Sequence, residues 1–126
     1  MYKNLSITAF LGLLAIILGA FGAHALKESL SVDALLSFET AVRYQMYHVI
    51  VLLLVNTFDK FSEKQKNYIS YLFFAGILCF SGSIYAIQLL NISAKTIWFI
   101  TPLGGLLFCI GWILLFINFV KKTIKN

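Results

Sequence analysis

Charge is scarce in this sequence: of 126 residues, ten are lysine or arginine and five are aspartate or glutamate, 12% together. Soluble domains carry about twice that fraction, so an ordinary water-facing surface is excluded. Cysteine is scarce too, and Cys79 and Cys109 both fall inside apolar runs, where a thiol behaves as a small hydrophobe. No disulfide framework is expected. Neither CxxC, HExxH, a phosphate-binding loop, a nucleophile elbow nor a dinucleotide fingerprint occurs. Nothing therefore points to soluble catalysis. No Asp or Glu lies deep in an apolar run, which counts against a proton- or cation-coupled transporter.

Apolar residues are what the chain has in excess, at 60% with a mean hydropathy of +0.89. They fall into four runs, 5–26, 42–58, 68–90 and 97–120, separated by short polar joints. A bilayer core needs about 20 helical residues. Backbone groups in lipid must be satisfied internally, and the alternation of a closed barrel is missing, so these runs are expected to be helices. The expected fold is an all-α membrane protein, one domain over 1–126, with four transmembrane helices in an up-and-down bundle.

The basic residues orient it. Lys3, Lys60, Lys64, Lys66, Lys121, Lys122 and Lys125 share one side of a four-span chain, and Lys27, Arg43 and Lys95 the other. The positive-inside rule then places both termini in the cytoplasm. A net charge of +5 is explained by anionic membrane lipid and calls for no nucleic acid.

Gly19 to Leu26 reads GAFGAHAL, and Ala23-His24-Ala25 has the look of a signal-peptidase site. A signal peptide has an apolar core of roughly 7–15 residues. The uncharged run from Leu5 to Leu26 is a full span, so a retained helix is expected. Ala15, Gly19 and Ala23 recur every four residues with Gly12 and Gly22 nearby, a bare face for a neighbouring helix. Gly76, Gly82, Gly104, Gly105 and Gly111 are assigned to packing as well.

Four motifs in order, GAFGAHAL, FETAVRYQMYH (38–48), FSGSIY (80–85) and ITPLGG (100–105) with Gly111-Trp112 after it, resemble the domain-of-unknown-function 423 family, which includes the transmembrane protein 256-like proteins. The resemblance covers nearly the whole chain. It implies four spans and a multi-pass location in the cell membrane of a bacterium, and it implies no activity.

In a four-span chain these motifs gather in the outer half, leaving a cytoplasmic half of mostly Leu, Ile, Val and Phe. The candidate polar cluster is His24, Arg43, Tyr44, Gln45, His48, Ser81, Ser83, Tyr85 and Thr101. Glu39 and Arg43, four apart, can pair at the surface, where Arg43 serves as an anchor. His48 lies about 9 Å deeper than Val42 at the helical rise. It needs a partner there, and His24, Ser81, Ser83, Tyr85 and Thr101 are the candidates. Trp98, Tyr85 and Tyr68 fit an aromatic belt. Thr101 is expected to cap the fourth helix with Pro102 at its first position. The apolar spacing over 27–41 suggests an amphipathic helix lying on the outer surface, and the loop 59–67 a solvated connection.

The favoured reading is a non-catalytic accessory or structural membrane protein. Its polar cluster would hold the helices together, and its partners would be membrane lipid and a second copy of the chain or another membrane protein. Two alternatives stand beside it. One is a small transporter or ligand-binding protein using that cluster. The other is a haem, metal or quinone redox component using His24 and His48, against which no further Cys, Asp or Glu completes a ligand set. No catalytic residue, metal ligand or cofactor is assigned.

Overall fold

The computed structural model describes residues 2–125. They form α1 (Tyr2–His24), α2 (Val32–Thr57), α3 (Glu63–Leu89) and α4 (Ile100–Lys125), with no strand among the described residues. Local chemistry sets the ends. Ser31 accepts from the Ala34 amide to start α2, and Ser62 and Gln65 form a reciprocal capping box at the start of α3. After α3, Asn91 takes a left-handed φ of 54°, which an asparagine tolerates, and the Ile92 amide folds back onto the Ala86 carbonyl at 3.3 Å.

Three helices, α1, α3 and α4, are long and apolar enough to cross a membrane. α2 is not among them, because Arg43, Gln45, His48 and Asn56 interrupt its apolar sequence. The expected surface helix over 27–41 does not exist as a separate element. With Ser31 as cap and no breaker before Thr57, residues 32–41 are the first turns of one continuous α2. α4 likewise starts at Ile100, before Thr101, so Thr101 is not its cap. The Leu103 amide bonds the Phe99 carbonyl at 3.1 Å, and Pro102 sits in a first turn where its missing N–H costs nothing. α3 begins at Glu63, ahead of the expected apolar start at residue 68.

Close packing runs between consecutive helices, α1 on α2, α2 on α3 and α3 on α4. α2 and α3 carry most of the buried positions, with α1 and α4 flanking them. In lipid there is little hydrophobic drive between helices, so fit and hydrogen bonds must do the joining. On α1, Gly12 faces Val49 and Gly19 faces Val42: seven residues up one helix match seven down the other, an antiparallel register. The bare stripe is Thr8, Gly12, Ala15, Gly19 and Gly22, alternating steps of four and three. Gly22 meets the Phe38 ring, and Ala23 is exposed, so the four-residue spacing misplaces the end of the stripe.

The α3–α4 seam is built from rings set into glycines. Phe108 lies against Gly76, Phe73 against Gly111, and the backbone of Phe80 against Gly104. Here too the order is antiparallel. A Cβ on Gly82 would meet only its own helix within 4 Å and one on Gly105 nothing, so neither position needs a glycine for a close approach of helices. Leu52, Val55, Phe61, Ile69, Phe73, Ile77, Phe108 and Leu115 make the apolar core. The connection between α2 and α3 is not merely solvated. Phe61 is buried, its ring packed against Phe58 and Phe119, and Lys66 is buried with its ammonium 3.5 Å from Glu63.

Candidate functional site

α2 supplies the polar interior, and its helical phase divides that interior in two. Gln45 and His48 are three residues apart, and each leans toward a different neighbour. The Gln45 amide donates to the Leu11 carbonyl at 2.7 Å and accepts from the Tyr85 hydroxyl at 2.7 Å, tying α2 to both α1 and α3. His48 turns to α4. There its ring stacks on Phe108 with centroids 3.7 Å apart and 7° between the planes, beside Phe73 and Trp112.

The hydrogen bonds fix the state of that histidine. The indole N–H of Trp112 can only donate, so His48 Nε2, at 3.2 Å, must accept. Nδ1, 2.6 Å from the Tyr44 carbonyl, must then carry the proton. His48 is the neutral Nδ1–H tautomer, with both nitrogens engaged. Neither partner is a nucleophile, and a metal or haem iron would have to displace Trp112 to reach Nε2.

The remaining cluster residues separate by the same logic. Ser81 and Ser83, two apart, face opposite sides of α3. Ser81 donates to the Ala41 carbonyl of α2 at 2.7 Å, whereas Ser83 meets the Thr101 hydroxyl of α4 and donates to the Phe80 carbonyl at 3.0 Å. His24, Arg43 and Tyr44 are exposed. The Arg43 guanidinium reaches Thr40 at 3.2 Å and Glu39 at 4.0 Å on its own helix. None of the partners expected for His48 bonds its ring nitrogens: Tyr85 is engaged by Gln45, Ser81 by the Ala41 carbonyl, and Ser83 and Thr101 by each other, while His24 is exposed. Six of the nine residues thus form separate bridges between helix pairs; His24 and Arg43 lie outside them, and Tyr44 lends its carbonyl to His48 and its ring to Phe80 of α3.

Two features were missed in the sequence. Trp112 is one; an indole N–H in mid-span needs an acceptor, and that need was the available signal. The other is a second polar layer, at the end that holds the start of α1, the end of α2 and the start of α3, where an apolar half was expected. Asn4 donates to Asn56 at 3.1 Å and to Asn67 at 2.8 Å, and Asn56 donates to Ser70 at 2.8 Å and to the Leu52 carbonyl at 2.9 Å. Gln65 of α3 donates to Asn118 of α4 at 2.6 Å. Antiparallel connection brings these asparagines to one level.

Among the described residues every buried side-chain nitrogen and oxygen has a hydrogen-bond partner. Within the same residues, no three His, Cys, Asp or Glu side chains gather to hold a metal ion. A cleft of about 350 Å³ opens between α1 and α3, lined by Ile7, Leu11, Leu18 and Leu78 among others, with Gln45 and Tyr85 at its wall.

Comparison with known proteins gives consistent matches. The family model described as "Protein of unknown function (DUF423)" matches residues 18–105. The "UPF0382 membrane protein SAB0533" of Staphylococcus aureus (strain bovine RF122 / ET3-1) is 43% identical over 109 residues, 86% of this chain and 88% of that one. The "UPF0382 membrane protein" of Haemophilus influenzae is 39% identical over 123 residues, 97% of this chain and 98% of its own. No solved structure matches significantly. With apolar helices of membrane-crossing length and bacterial relatives named as membrane proteins, this chain is a multi-pass membrane protein belonging to the DUF423 family.

Proposed function

We propose that the protein is a non-catalytic accessory or structural membrane protein, a four-span up-and-down bundle with both termini in the cytoplasm. α2 crosses as the fourth span, sheltered between α1 and α3, which is how it carries Gln45, His48 and Asn56 through lipid. The observation that supports this reading is the complete pairing of the buried polar groups, mostly from one helix to another. Unpaired polar groups in hydrocarbon are costly, whereas a catalytic or binding site keeps some donors and acceptors free for its substrate. The exposed apolar faces, such as Phe10, Leu13 and Ile17 of α1 and Leu106, Ile113 and Phe116 of α4, are left for lipid, for a second copy or for another membrane protein.

His48→Ala tests the reading. It should lower the melting temperature of the purified protein or change its oligomeric state; unchanged melting and an unchanged oligomer would count against it. One observation favours a ligand-binding alternative, the cleft between α1 and α3 with the Gln45–Tyr85 pair at its wall. That alternative requires a small molecule that co-purifies in native mass spectra and is lost in Gln45→Ala while the fold stays intact.

A further inference from the structure

We propose that the cleft between the start of α3 and the end of α4 binds one anionic phospholipid, its phosphate held by lysines at the mouth and one acyl chain lying between the helices. The cleft measures about 420 Å³, within the roughly 300–1,000 Å³ of small-ligand sites. Its lining changes character with depth: Ser62, Lys64 and Tyr68 at the rim, Gln65 and Asn118 bonded to each other across it, and Ile69 and Leu114 in its wall. That is the polarity profile of a phospholipid, polar at the surface and apolar inward.

Positive charge dominates the mouth. Lys64 lies 5.9 Å over the Tyr68 ring, and Lys122 lies 5.7 Å over Phe61, the residue before Ser62. Lys121 and Lys122 follow Asn118 by three and four positions and so share its side of α4. The neighbouring carboxylate, Glu63, is directed at the buried ammonium of Lys66. Among the described residues Lys64, Lys121 and Lys122 form no ion pair, so their charges remain for a phosphate. Aromatic rings beneath two of them hold the ammoniums at headgroup level. The proposal depends on membrane insertion alone and not on the accessory role.

The test is native mass spectrometry of the detergent-purified full chain titrated with phosphatidylglycerol and, separately, with phosphatidylcholine of identical chains. Phosphatidylglycerol should bind at least fivefold more tightly, and Lys64→Gln and Lys122→Gln should each weaken it about fivefold, the effect of one basic residue near an anionic surface. Lys3→Gln, which removes the same charge from α1, should leave it unchanged. Inorganic phosphate at equal concentration should neither bind nor stabilise. Equal binding of the two lipids, an equal loss in Lys3→Gln, or stabilisation by phosphate alone would overturn the proposal. Melting and oligomeric state of the lipid-free variants report on the accessory reading separately.

Discussion

Gly104 and Gly105 are adjacent on α4, and the structure separates them completely. A Cβ on Gly104 would run into the backbone nitrogen and Cα of Phe80 on α3, and backbone cannot swing aside as a side chain can. A Cβ on Gly105 would meet nothing within 4 Å. Overpacking of this kind costs about 1–3 kcal/mol, while alanine in a helix is favoured over glycine by up to ~1 kcal/mol. Gly105→Ala should therefore be neutral or slightly stabilising. Gly104→Ala should lose about 1–3 kcal/mol, since forcing α4 off α3 also disturbs the Phe108–Gly76 and Phe73–Gly111 contacts. At about 4 °C per kcal/mol, the two variants should melt roughly 4–12 °C apart. The assay is thermal unfolding in a mild detergent, read by the monodisperse fraction remaining after heating. Equal melting temperatures would refute the α3–α4 register.

Asn56→Ala should destabilise by about 1–3 kcal/mol, because it strands Ser70 inside the protein and leaves Asn4 with only its bond to Asn67. Thermal unfolding beside Asn67→Ala, a half-buried member of the same network, should show the smaller loss at Asn67. The topology predicts opposite labelling of the loops. In a Cys79→Ala, Cys109→Ala background, Ser29→Cys and Ser93→Cys should react with an impermeant maleimide from outside intact cells, and Lys60→Cys only after the membrane is opened. Labelling of Ser29→Cys and Lys60→Cys from the same side, with Ser93→Cys on the other, would mean that α2 does not cross.

The apolar runs were readable because lipid leaves a chain few options: about 20 uncharged residues make a helix whatever their order. What order decides was harder to read. The start of α2 was hidden because Asp33, Glu39 and Arg43 give its first turns the composition of a surface segment, although Ser31 marks the cap. Gly22 and Ala23 compete for the bare stripe of α1, and only the facing Phe38 ring decides between them. Polar residues were noticed where they clustered in sequence, as between residues 38 and 48. They were missed where single residues, Asn4, Asn56, Asn67 and Asn118, meet only after the chain has turned back on itself. His48 was recognised as needing a partner, yet its partner lies 64 positions away, and no local pattern connects them.

The central claim is that interior polar groups join helices, and the His48–Trp112 pair tests it most directly. A double-mutant cycle with His48→Phe, Trp112→Phe and both together isolates the bond from the surrounding ring packing. If the pair holds α2 to α4, the two changes should couple by about 0.6–1.7 kcal/mol in thermal or denaturant unfolding, between the average and the maximum measured for interhelical hydrogen bonds in a membrane protein. Additive effects, with no coupling beyond error, would contradict the account and leave His48 free for some other role.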